Sequence, residues 1–220
     1  IFNQLKFGAL PIPLVVETSR TVSATLGQES VDASLIAGGV GLGIVALFMV
    51  LFYRLPGVIA VIALMVYTAL TFAIYRFIPV TLTLSGIAGF ILSIGLAVDE
   101  NVLIFARIRE EYRRRRDLRA SLEPGFNDSW SAIRDSAIAT LITSAVLFTF
   151  GNSFGLSIIK GFAVTLGLGT VISVFTAVVV TRTILRLVIL SPAVYSNPWL
   201  FGVERDELRP APVAIEPETV

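Results

Sequence analysis

The sequence predicts an all-α membrane protein with five membrane-spanning helices, and three observations carry that prediction. The composition is 55% hydrophobic and 15% charged, with a mean hydropathy of +0.84; a soluble domain runs nearer to about 45–50% apolar and about 25% charged. The apolar residues are gathered into long runs, and about 20 of them cross the hydrocarbon core as a helix, where the backbone must satisfy its own hydrogen bonds. Basic residues collect on one side of those runs, as they do in the cytoplasmic loops of membrane proteins.

Residues 1–33 come first and are mixed in character. Leu14, Val15 and Val16 follow Pro11 and Pro13 and suit a strand of a small extracytoplasmic sheet, and the polar stretch from Thr18 to Asp32 suits a linker or an amphipathic approach to the membrane. The chain starts at Ile1 with no charged-then-apolar leader ahead of the first long run, so it is expected to be a piece of a longer protein.

A helical domain is expected over 34–190. Its five apolar runs are Leu35–Tyr53, Val58–Tyr75, Val80–Ala106, Ala137–Phe150 and Phe162–Val180. The short connections Arg54–Gly57 and Arg76–Pro79 make the first three runs antiparallel neighbours. The fourth run holds 14 residues, about 21 Å of helix, so it must extend through Arg134, Asp135 and Ser136 or cross where protein covers its ends.

Between the third and fourth runs lie Arg107, Arg109, Arg113, Arg114, Arg115, Arg116, Arg119 and Arg134, whereas the opposite short loops hold only Arg76 and Lys160. The Arg-rich segment 107–135 is therefore expected in the cytoplasm with the carboxy terminus, and residues 1–33 outside. It reads as a helix running out of the third span until Pro124-Gly125, with Glu110 and Glu111 each four residues before an Arg. Its basic side chains suit anionic lipid headgroups or a docking partner. Arg182 and Arg186 share a helix face and are expected to reach the cytoplasmic headgroups. Residues 191–220, with five Pro and scattered charge, read as a flexible cytoplasmic tail.

Several chemistries are excluded by what is missing. With no Cys and no His, there is no thiolate, no disulfide and none of the commonest zinc or haem ligand. No glycine loop ends in Lys-Ser/Thr and no Ser/His/Asp set exists, so no hydrolase is indicated. No metal, cofactor or nucleic-acid partner is expected.

The third run carries the candidate site. Asp99, Glu100 and Asn101 interrupt apolar sequence, and an ionisable group inside a bilayer is a functional hypothesis by default. Burial raises a carboxylic acid's pKa in general, which suits a group that binds and releases a proton near neutrality. Because Val80–Val98 is already long enough to span, Asp99 lies either within the bilayer or at its cytoplasmic interface. Asn101 and nearby polar groups are expected to orient Asp99. Asp135, opening the fourth run, is either a helix-start residue or part of a proton path. Ser85, Gly89, Ser93 and Ala97 form a ladder of small residues at four-residue spacing, which allows close helix packing. Gly39 with Gly43, and Ala163 with Gly167, repeat that spacing. Gly95 stands one turn before Asp99 and leaves room beside the carboxylate.

The segment GIAGFILSIGLAVDENVLIFARIREE at 86–111 resembles the signature of the SecD branch of the SecD/SecF protein-export family. YRLPG at 53–57, DSAIATLITSAVLFTFG at 135–151 and IKGFAVTLGLGTVISVFTAVVVTR at 159–182 agree, as does FGALPIPLVVE at 7–17, so the resemblance covers roughly 7–187 in order. It implies five helices of a six-helix half of the resistance-nodulation-division type, with a small extracytoplasmic remnant in place of a periplasmic domain, in the bacterial inner membrane. It implies SecF, SecYEG and YajC as partners, a translocating polypeptide as substrate, and proton flow as the drive. The family's transmembrane Asp falls on Asp99, its Asn on Asn101 and its next acidic residue on Asp135. Four positions depart from the family pattern: Glu100 replaces a small residue, Ala137 an Asn, Ala139 a Thr and Ser85 a Pro. Glu100 leaves open which carboxylate titrates, and Ala137 and Ala139 imply the loss of a polar contact near Asp135. Two other readings remain beside this one: a small-molecule exporter half, and a structural or pigment-binding subunit of a larger complex.

Overall fold

The computed structural model describes residues 24–78 and 82–190. The expected strand at Leu14–Val16 and the tail 191–220 lie outside the described residues. In chain order the helices are α1 (Ala24–Tyr53), α2 (Leu55–Phe77), α3 (Leu84–Arg115), α4 (Leu118–Ser153) and α5 (Ser157–Phe175). A π-helical turn, Thr176–Thr181, then runs into α6 (Arg182–Leu190). No strand occurs among the described residues, and five helices are long and apolar enough to cross a membrane, the fifth being the continuous rod Ser157–Ile189.

Three boundaries differ from those expected. Helix α1 begins at Ala24, inside the stretch read as a linker, because no Pro interrupts it and extending a formed helix costs little. Helix α3 ends at Arg115 rather than running to Pro124: Arg116 turns left-handed at φ 57°, and the Asp117 side chain caps α4 by accepting from the Arg119 N–H at 3.0 Å. Pro124-Gly125 does not end a helix but lies within α4. A Cβ at Gly125 would stand 2.7 Å from the Ile108 Cα, so the dipeptide is where α4 presses on the extension of α3. Burial of Leu118, Leu122, Phe126, Ile104, Phe105 and Ile108 in one cluster offsets the hydrogen bond that the proline removes. The fourth span thus obtains its length from the Arg-rich segment.

Helices α1 and α2 are separated by a single residue, Arg54, at φ 53°. They meet so closely that a Cβ at Gly57 would fall 2.0 Å from the Met49 carbonyl oxygen. The most extensive interface is α3 against α5, with α4 packed on both. Helix α1 stands at the edge and buries only Met49 among its described side chains. Along α3, Glu110 pairs with Arg107 and Arg114 and Glu111 with Arg115, each at 2.8 Å.

Candidate functional site

Two ladders of small and hydroxyl residues face each other across α3 and α5. On α3 the rungs are Gly89, Ser93, Ala97 and Asn101; on the fifth rod they are Thr165, Gly169, Ser173, Ala177 and Thr181, again four apart. Contact is backbone-close: a Cβ at Gly89 would lie 2.4 Å from Thr165 Oγ1 and 2.8 Å from the Phe162 carbonyl, and one at Gly169 would lie 2.4 Å from Ser93 Oγ. Ser85 sits near the start of α3, 2.9 Å from Thr83 Oγ1 beside Gly161. Gly95 is on the other side of α3, and among the described residues nothing lies within 4 Å of where its Cβ would be. Gly39 and Gly43 are likewise open among the described residues, while Gly167 meets Ser144 of α4.

Between the ladders runs a seam of buried polar groups. Tyr67 of α2 and Ser93 share a hydrogen bond of 2.7 Å, and the Tyr75 hydroxyl donates to the Thr165 carbonyl at 3.3 Å. Further along, Ser173 Oγ donates to Glu100 Oε1 at 3.0 Å, and Thr181 Oγ1 donates to Asn101 Oδ1 at 2.7 Å. Asn101 Nδ2 in turn donates to the Ala97 carbonyl at 2.8 Å. The π-helical turn sets the final contact, because its wider winding brings Thr176, Ala177 and Thr181 inward together.

The two adjacent carboxylates separate. Residues next to each other on a helix point about 100° apart, and here the difference puts one inside and one outside. Glu100 is 6% exposed, and its Oε2 is buried with no hydrogen-bond partner among the described residues. Asp99 is exposed on the surface of the chain. Both reach a cavity of about 60 Å³ that Leu96, Leu103, Ile133, Ser136, Ala137, Thr140 and Thr170 also line, enough for a few waters. Asn101 turns the other way, its amide occupied by Thr181 and the Ala97 carbonyl, so it does not orient Asp99. Asp135 is exposed and accepts from its neighbour Arg134 at 2.9 Å, and it does not reach the cavity. No group of three or more acidic residues capable of holding a metal occurs among the described residues.

Helix α3 begins at Leu84, so Asp99 stands about 22 Å along it.

Arg182 and Arg186 are both paired within the protein. Both guanidiniums donate to Glu123 near the start of α4, and Arg182 lies 5.6 Å from the Phe126 ring centre. Glu123, Tyr67, Thr170, Ser173 and Thr181 are site residues that sequence reasoning passed over. The four-residue spacing of hydroxyls in the fifth run was the available signal for Ser173 and Thr181. For Glu123 there was none, since its partners lie far along the chain.

The family model for the protein export membrane protein SecD/SecF, C-terminal, matches residues 12–190. The chain belongs to the SecD/SecF carboxy-terminal family. It is 54% identical over 205 residues to the protein translocase subunit SecD of Thermobaculum terrenum, covering 93% of this chain and 40% of that protein. The SecD subunit of a Synechocystis species is also 54% identical, over 199 residues, covering 90% of this chain and 41% of its own. A crystal structure of SecDF in a super-membrane-facing form superposes with a TM-score of 0.69 at 38% identity, over 83% of this chain and 25% of that one. The SecD/SecF-family chain thus spans about two fifths of the length of these relatives. Family membership and the five apolar helices make it a multi-pass membrane protein.

Proposed function

We propose that this chain forms one membrane half of a protein-export complex, in which Asp99 carries a proton across the inner part of the bilayer. The observation that carries the reading is Asp99 itself: a carboxylate in a helix long and apolar enough to cross a membrane, open on the chain's surface and bordering a small cavity that Glu100 also lines. A proton crossing the full field is worth about 2.3 kcal/mol per 100 mV, enough to bias a two-state equilibrium about fiftyfold. The open surface beside Asp99 and Gly95 is the natural seat for SecF-like helices from a partner chain. SecYEG, YajC and a translocating polypeptide complete the proposed assembly. The Arg-rich hairpin and the carboxy terminus face the cytoplasm in this reading, in keeping with the basic residues on that side. The SecD relatives weigh against the small-molecule-exporter and pigment-subunit readings.

The test is export of a secreted precursor by the full-length protein carrying Asp99→Asn, in vesicles with an imposed proton gradient. Export is expected to fall to the level of a deletion while assembly with the SecF-like partner persists. Export at the wild-type level would remove Asp99 from the proton path.

A further inference from the structure

Glu100 has no part in the reading so far, yet it is the most confined acidic group in the seam. One of its oxygens accepts from Ser173; the other is buried and unpartnered among the described residues, on the side chain that lines the cavity reached by Asp99. No basic side chain lines that cavity. The charged and titratable groups on the elements around it are few. Asp99 is on α3 itself; α4 carries Arg134 and Asp135, which pair with each other outside the cavity, and Arg119, Glu123 and Asp128 nearer its start, none of which lines it. On α5 the only one is Lys160, at the opposite end and bonded to Asn152. Arg182, beyond the π turn, is engaged by Glu123, and on α2 the Tyr67 hydroxyl is bonded to Ser93. Among the described residues no cation lines the cavity to offset a second negative charge there.

We infer that Asp99 and Glu100 form a single two-carboxylate site sharing one proton through water in the cavity, with Glu100 as its inner station. This rests on the proton-carrying reading of Asp99 and extends it. Two adjacent anions in a low-dielectric pocket repel, and one shared proton relieves that repulsion. In the transfer, an O–H bond on Glu100 breaks as water accepts its proton, and that water gives a proton to Asp99. The pair keeps one proton and one negative charge through this internal transfer, and a proton that Asp99 later gives up at the open face is replaced by one taken up from water there. Asp99 then exchanges its proton at the open face, while Ser173 and the α5 ladder hold Glu100 in place.

The test compares Glu100→Gln, Ser173→Ala and Asp99→Asn in the full-length protein assembled with its partner in proteoliposomes. Glutamine keeps the volume and an oxygen for Ser173, so a packing role survives it; Ser173→Ala removes only the hydrogen bond. Infrared difference spectra across a pH titration should show two carboxyl steps in the wild type, as coupled groups do, and one in Glu100→Gln. The pH profile of gradient-driven export should lose the corresponding limb. An unchanged spectrum and profile in Glu100→Gln, with Asp99→Asn inactive, would overturn the shared site and leave Asp99 as a lone carrier. Wild-type export by Asp99→Asn would instead remove the reading on which the site rests. A defect in Ser173→Ala with none in Glu100→Gln would make Glu100 a packing residue and overturn the proposal.

Discussion

Helix α1 and the α3–α5 pair are both membrane-length and apolar, but they are built for different surroundings. Along α1 the large side chains Leu35, Ile36, Val40, Ile44, Leu47 and Leu51 are all exposed, and Met49 alone of the described residues is buried. Helix α3 and the fifth rod bring serines, threonines, glycines, Glu100 and Asn101 together across a seam. Lipid tails are as apolar as leucine, so apolar side chains by themselves give two helices little reason to associate. Small residues that let backbones approach, and hydroxyls that bond across the gap, supply the reason. An apolar run makes a span; a small polar ladder within it makes an interface.

Three substitutions sharpen that comparison, each read by thermal unfolding of the purified protein in detergent. The largest effect is expected for Gly89→Val, whose side chain would enter the space of Thr165 Oγ1 and the Phe162 carbonyl. It should cost about 1–3 kcal/mol, and a neutral result would mean that α3 and α5 are not backbone-close. Thr181→Val removes the bond to Asn101 while keeping the shape; an effect of about 0.6 kcal/mol is expected. If Asn101→Ala made Thr181→Val neutral, the loss would be assigned to that bond. Least of all is expected from Leu47→Ala on the exposed face of α1, within about 0.5 kcal/mol. A larger loss there would show that α1 is packed against protein in the sample.

Much of the architecture was legible in advance. The apolar runs marked all five spans, and the Glu–Arg spacings marked the helical extension that carries the pairs of Glu110 and Glu111. The reading failed at Pro124-Gly125, where turn-forming residues lie inside α4 because Gly125 admits the backbone of α3 and the surrounding burial offsets the lost hydrogen bond. It also missed the partner of Arg182 and Arg186, since Glu123, 59 residues before Arg182 and 63 before Arg186, becomes their neighbour only when α4 and α6 pack. At the site, Asp99 and Glu100 stood out together as an interruption of apolar sequence, but nothing local distinguished the exposed environment of Asp99 from the buried one of Glu100.

By itself, the sequence determined what depends on composition and spacing along one helix. That includes the membrane class, the number of spans, the small ladder on α3 and the presence of acidic groups in the third run. Tertiary structure alone decided which side of each helix faces inward. A rotation of about 100° separates neighbouring residues, so the packing of α3 on α5 and α4 buries Glu100, leaves Asp99 open and turns Asn101 toward Thr181. Hydropathy is a property of one residue at a time, whereas burial depends on neighbours supplied by distant parts of the chain.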